Sequence, residues 1–226
     1  MICAPATRES YSATAVSCQA GFDGVNRDSF FQRVKNTAMG TIARQEHRLR
    51  TGDNIVVRSP VPDDVQALLA HRRELFDEGD FVVTLPEEYD FTDEHELEKI
   101  RQATDNPGNV LIVAETAGRI VGMLGVESRA RQRLSHRATL YITVSREWRS
   151  RGVGTLLFRS AIDWAEAQPT IEQLCLAVFA TNVRAIGLYR KFGFLEEGRQ
   201  PQEVKFGPGQ YVDGLLMYRF VKRFTE

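Results

Sequence analysis

Three apolar runs crowd the middle of the chain, at residues 110–116, 119–127 and 138–144. Each is short and rich in Val, Ile and Leu, so each reads as a strand. Ala117-Gly118 joins the first two tightly enough for a hairpin, although Ala is not the best residue for such a turn. Near residue 152 the period changes. Leu156, Leu157, Ala161 and Trp164 recur at helical spacing, with Arg159, Asp163 and Glu166 on the opposite face. Pro169 ends the pattern. The stretch 138–168 is therefore strand, turn and amphipathic helix, and the rest of the chain is arranged around it.

On the N-terminal side, residues 54–59 read as a strand that Pro60 and Pro62 break. Asp63 caps a helix to about Asp77, with Val65, Leu68, Leu69, Arg72 and Phe76 at helical spacing. Residues 81–90 form a loop. Thr92 caps a second helix, which runs to about Asp105 and stops at Asn106-Pro107-Gly108. On the C-terminal side, residues 173–179 form a strongly apolar strand. A strand–helix–strand unit implies a parallel pair with a right-handed crossover. Asn182 caps a short helix that Gly193 closes. Residues 194–206 and 211–221 make a long hairpin around Gly207-Pro208-Gly209. This order predicts an α/β (mixed α+β) fold, a central mixed sheet flanked by helices.

Residues 1–52 lack such periodicity and are rich in Ala, Ser, Thr, Arg and Gln. They are expected to be a disordered N-terminal extension, with the folded domain over 53–226. Phe30, Phe31 and Val34 allow one short amphipathic turn there.

Composition narrows the functional classes. The chain has 226 residues, enough for one good-sized domain. A net charge of −1 gives no electrostatic case for nucleic acid or an anionic membrane. No apolar run approaches the roughly 20 residues that span a bilayer. Cys3, Cys18 and Cys175 are too scattered for a disulfide framework. His47, His71, His95 and His136 show no metal-ligand spacing. The expectation is a reducing, cytoplasmic setting with no bound metal.

The turn before the central helix carries candidate chemistry. Arg149-Ser150-Arg151-Gly152-Val153-Gly154 sits where the first helical N–H groups have no intrahelical partner. Those donors and the positive end of the helix dipole suit a phosphate. Two glycines let a ligand approach the backbone, and Arg149 and Arg151 add positive charge. A Walker-type loop is absent. Leu157 stands where a dinucleotide fingerprint needs its third Gly or Ala. An ordinary strand–helix turn with two solvated arginines is the bland alternative.

Arg149-x-x-Gly152-x-Gly154 after a strand resembles the acyl-CoA signature of the GNAT acetyltransferase superfamily. Asn182-x-x-Ala185-Ile186-x-Leu188-Tyr189-x-Lys191-x-Gly193-Phe194 resembles that family's second hallmark. The likeness covers most of 54–221, and Tyr211-Val212-Asp213 with Met217 is similar to the bacterial small-substrate and ribosomal-protein branches. The resemblance implies a sheet with a splayed parallel pair and acetyl-CoA as cosubstrate. It implies that main-chain N–H groups of Arg149, Arg151, Gly152, Val153, Gly154 and Thr155 hold the pyrophosphate. Asn182 would meet the pantetheine arm. A backbone N–H near Thr143–Val144, on a bulged strand, would polarise the thioester carbonyl. Tyr189 would be the general acid for the departing thiolate. Asn182 is also a plain helix cap, and Tyr189 a core aromatic beside Ile186 and Phe192. One departure stands out. Many relatives carry a carboxylate on the strand before the turn, whereas here that strand has Thr139 and Tyr141. Glu127, at the end of the preceding strand, is the nearest candidate base, with loss of the proton to water as the alternative. Arg129, Arg131, Arg133 and Arg137 are either a solvated loop face or a grip on the 3′-phosphate.

The implied activity is N-acetyl transfer to a small primary amine: an amino acid, an amino-acid analogue or a polyamine. Two other readings stay open, a protein N-terminal or lysine acetyltransferase and a non-catalytic acyl-CoA sensor. The partner is then a small-molecule amine, without nucleic acid or membrane, and a homodimer is allowed.

Overall fold

The computed structural model describes residues 40–79 and 81–222. Among them are eight strands: β1 (Gln45–Arg48), β2 (Asn54–Arg58), β3 (Val110–Thr116), β4 (Arg119–Ser128), β5 (Arg137–Val144), β6 (Gln173–Phe179), β7 (Leu195–Gly207) and β8 (Gln210–Phe220). The α-helices are α1 (Val65–Glu78), α2 (Asp93–Asp105), α3 (Val153–Ala167) and α4 (Val183–Lys191). The strands form one sheet in the order β1-β2-β3-β4-β5-β6-β8-β7. Every described neighbour pair is antiparallel except β5–β6. The expected mixed α/β fold is present, and the parallel pair lies where the strand–helix–strand order puts it.

Alternation along the strands builds a core on each face of the sheet. Ile112, Leu124, Leu140 and Leu174 pack with Leu157, Phe158, Ala161 and Trp164 of α3. On the opposite face Leu111, Val113, Ile120 and Met123 pack with Leu68 and Leu69 of α1 and Ile100 of α2. α1 and α2 are also joined by a buried ion pair. Arg72 donates to both carboxylate oxygens of Glu96, at 2.8 and 3.0 Å, and the Tyr89 hydroxyl donates to the same carboxylate at 2.8 Å. Glu96 is fully buried, so its charge depends on these partners.

Three local expectations change. Asp64, not Asp63, precedes α1; its carboxylate accepts the Val61 N–H at 2.7 Å and pairs with Arg58. Ala117 does take the hairpin turn, with φ 47° beside Gly118 at 75°. The third change is at the proposed domain start. Part of the stretch expected to be disordered is folded, because β1 lies before residue 53 and pairs with β2. Leu49 is buried in the main core. The Ile42 N–H donates to Ser59 Oγ at 3.0 Å. A Cβ on Gly40 would lie 2.0 Å from the Ala103 carbonyl oxygen, so the chain there is seated against the end of α2. Residues 1–39, with the turn expected at Phe30–Phe31, lie outside the described residues.

Candidate active site

β5 and β6 are paired only at Arg137–Gln173, Ala138–Leu174 and Thr139–Cys175. Beyond Thr139 the two strands have no register in common, and β6 continues beside β8 as far as Phe179. An opening therefore runs between the second halves of β5 and β6, with the N-terminus of α3 at its wide end.

The ladder between β4 and β5 shows which groups face this opening. Ser145 N–H donates to the Val121 carbonyl at 3.0 Å, and Arg129 N–H to the Arg137 carbonyl at 3.3 Å. Between them the register runs unbroken from Gly122–Val144 to Ser128–Ala138. Alternation in an antiparallel ladder then turns the N–H of Thr143 toward β4. The N–H groups of Ile142 and Val144 face the other way, into the opening. Of the expected Thr143–Val144 pair only Val144 offers a main-chain donor, and Ile142 joins it. The expected bulge in this strand is absent, since the register does not shift.

Past β5 the turn reaches α3 through two positive-φ residues, Ser150 at 64° and Gly152 at 105°. Gly152 is the N-cap, and the first helical bond is Leu156 N–H to the Gly152 carbonyl at 3.1 Å. The N–H groups of Val153, Gly154 and Thr155 are thus without helical partners, at the positive end of the dipole. A side chain at Gly152 would be strained by its φ. Gly154 serves a different end: a Cβ there would sit 3.2 Å from Leu188 Cδ2 and 3.8 Å from Ile142 Cδ1. Its absence lets α4 and β5 close against α3.

The two arginines do not act as a pair. Arg149 folds inward, its Nε donating to the Val144 carbonyl at 2.9 Å and its guanidinium paired with Glu78 at the end of α1. It holds the turn in shape instead of presenting charge. Arg151 is exposed, stacked 5.1 Å above the Trp148 ring and 3.8 Å from Asp53. With Thr116, Ala117, Arg119, Glu147 and Trp148 it lines a surface cavity on the β3–β4 side of the turn. Of the 129–137 arginines, Arg137 does not suit the 3′-phosphate. Arg137 opens β5, seven residues and roughly 23 Å of strand before Val144, and is bound to Glu197 and Cys175.

Asn182 caps α4, its Oδ1 accepting the Ala185 N–H at 3.1 Å. Tyr189 lies in the core, its ring 5.2 Å from Phe158 and 6.2 Å from Phe194. Its hydroxyl has no hydrogen-bond partner among the described residues. Burial alone pushes this phenol well above its ordinary range. Transfer of its proton to a thiolate is therefore more uphill than in water.

Glu127 pairs across the sheet with Thr139, the last β5 residue in register with β6. It is thus one strand away from the vertex of the opening. Burial, followed by the nearby Glu127 charge, pushes the Tyr141 phenol above its ordinary range. Tyr141 lies flat on Gly125, where a Cβ would come 2.1 Å from Cζ.

The sequence reading missed a buried polar group on the same face. His71, from α1, bridges Thr143 and Ser145, and Ser145 leads on to Glu74. A signal was present: His71 and Arg72 fall among Leu68, Leu69 and Leu75 on the buried side of α1. Among the described residues no group of His, Cys, Asp and Glu is arranged to hold a metal, and no helix is long and apolar enough to cross a membrane.

The mixed sheet with one parallel junction is a fold shared with known proteins. The model of the Acetyltransferase (GNAT) family matches residues 72–194, more than half of the chain, and the chain belongs to that family of N-acetyltransferases. It is 36% identical over 115 residues to the L-amino acid N-acetyltransferase AaaT of Escherichia coli K12, covering 51% of this chain and 70% of that one. It is 27% identical over 140 residues to the spermidine N(1)-acetyltransferase of Vibrio cholerae, covering 62% and 79%. Among solved structures, a GNAT-family acetyltransferase from Streptococcus pneumoniae superposes with a TM-score of 0.70 at 27% identity, over 74% of this chain and 99% of that one.

Proposed function

We propose that this acetyltransferase moves the acetyl group of acetyl-CoA onto a small primary amine by direct attack in a ternary complex. The observation that carries this is the opening between β5 and β6, with free donors along its β5 edge and at its mouth. In this reading the unpaired amides of Val153, Gly154 and Thr155, with Gly152 leaving the approach clear, bind the pyrophosphate. The pantetheine arm runs into the opening along Val144 and Ile142, and Asn182 meets it from the β6–α4 junction. Thr143 contributes its side chain instead of its amide. Arg149 shapes the turn, and Arg151 supplies the outward charge.

The amine reaches the site with its lone pair free, having lost one proton to water or to Glu127. The lone pair forms the C–N bond at the thioester carbon. A β5 main-chain N–H stabilises the charge gathering on the carbonyl oxygen. The C–S bond breaks and the thiolate leaves with its electron pair, taking a proton from Tyr189 or from water. The nitrogen sheds its second proton to leave a neutral amide. Holding both reactants in one cleft contributes several kcal/mol of the order that orientation supplies.

Small amines are favoured over proteins because two relatives are named for an amino acid and for spermidine. The test is free-thiol release from acetyl-CoA against a panel of amino acids, polyamines and lysine-containing peptides. Release with a small amine is the expected result. Release with peptides alone would move the acceptor to proteins, and acetyl-CoA binding without release would leave a sensor.

A further inference from the structure

His71 is 1% exposed, yet both its ring nitrogens have polar partners. Nε2 lies 3.0 Å from Thr143 Oγ1, and Nδ1 lies 3.2 Å from Ser145 Oγ. Ser145 Oγ is in turn 3.1 Å from Glu74 Oε2. The direction of each bond is forced. Glu74 also pairs with Arg119 at 2.9 Å, so it is ionised and only accepts. The Ser145 proton is therefore committed to Glu74, and Ser145 Oγ must accept from Nδ1–H. Neutral imidazole then has a bare Nε2, which accepts the Thr143 hydroxyl proton. Four side chains thus fix one hydroxyl: Thr143 is a donor inward, and its lone pairs are left for something else.

Thr143 is half-buried and sits between Ile142 and Val144, whose amides face the opening. We infer that Thr143 Oγ1 is the acceptor that holds one N–H of the attacking amine, and that His71 is the positioning residue that fixes this hydroxyl. The inference rests on the acetyl-transfer reading above. It supplies what β5 lacks, since the strand carries no carboxylate to meet the amine. An amine that gives one N–H to a fixed oxygen has its lone pair constrained in direction, which is the orientation that attack requires. Burial, then the charges of Arg72, Arg119 and Arg149, hold the imidazole neutral, down to about 3. Nε2 therefore stays an acceptor at any working pH.

The experiment compares wild type, Thr143→Val, Thr143→Ser and His71→Asn in single-turnover acetyl transfer, with acetyl-CoA affinity measured by calorimetry on each. Thr143→Val should lower kcat/KM for the amine by about 10- to 100-fold, the size of one lost hydrogen bond in a site, with acetyl-CoA affinity kept. Thr143→Ser should recover most of the rate, and His71→Asn should shift the amine term in the same direction by less. Retained acetyl-CoA binding shows that each variant is folded, and Thr143→Ala replaces valine if that residue crowds the strand. Wild-type kcat/KM in both the valine and alanine variants would overturn the inference. So would a serine variant as poor as valine, or a loss confined to acetyl-CoA affinity. A wild type that transfers to no amine would overturn the proposed function itself, a separate result.

Discussion

Tyr189 and His71 show how burial divides roles between titratable groups. Tyr189 is an acid made weaker by its surroundings, so its part in protonating the thiolate is open to a direct test. If it donates, Tyr189→Phe should lower the single-turnover rate by about 10²–10⁴-fold with little change in Tm. If it only packs between Phe158 and Phe194, the rate should hold, because the ring is kept. His71 makes a prediction about stability. The unfolded chain takes up a proton there below about 6.5, while the folded chain refuses it until about 3. Between those values the unfolded state binds more protons, so stability falls as pH falls through the window. The groups around the ring are Arg72, Arg119 and Arg149, with Glu74 beyond Ser145. His71→Gln should flatten part of this acid slope in urea unfolding series run from about pH 7 to about pH 4. An unchanged slope would mean that His71 is protonated in the fold. At this scale the sequence showed motif residues better than their partners. Gly152 and the Asn182 cap were legible because backbone geometry demands those residue types. The inward turn of Arg149 was not, because Glu78 is 71 residues away.

Elements with an apolar period were readable almost to the residue, since each buries a face whose pattern the sequence must carry. β1 was not. Its residues, Gln45-Glu46-His47-Arg48, include no aliphatic side chain, and the strand is held by main-chain pairing to β2. The next residue, Leu49, bears on the site. It is buried, and its Cδ2 lies 3.7 Å from where a Gly152 Cβ would stand. The strand thus ends in a prop beneath the phosphate-binding turn proposed above. A chain beginning at residue 54 loses that prop, and its Tm should fall below that of a chain beginning at residue 40. Leu49→Ala isolates the contact and should cost about 2–5 kcal/mol, the range for a buried leucine. Equal Tm values for the two truncations would show that the edge strand adds nothing. The same logic marks the α1–α2 junction. Removing Glu96 leaves Arg72 charged and buried, so Glu96→Ala should destabilise by about 3–5 kcal/mol in denaturant titration.

For the whole molecule, the chain order locates the opening in the sheet. A strand–helix–strand unit set into an otherwise antiparallel sheet makes the single parallel junction among the described strands. That junction is where the sheet parts. Helices pack on both faces of the sheet, and α3 begins at the mouth of the opening because the chain must leave β5 there. Order and motif made the opening legible. They did not reveal the regular β5 register, which moves the available amides to Ile142 and Val144, nor the polar group around His71 behind Thr143. The central claim is that this opening and the α3 N-terminus hold acetyl-CoA. The measurement that tests it is calorimetric titration of acetyl-CoA into wild type and Gly152→Asp, with Tm recorded for both. Aspartate adds a side chain at a positive-φ position and a negative charge where the pyrophosphate is placed. The account predicts one acetyl-CoA bound per wild-type chain and no detectable binding by a variant that still unfolds cooperatively. Equal affinity in the two proteins would contradict it.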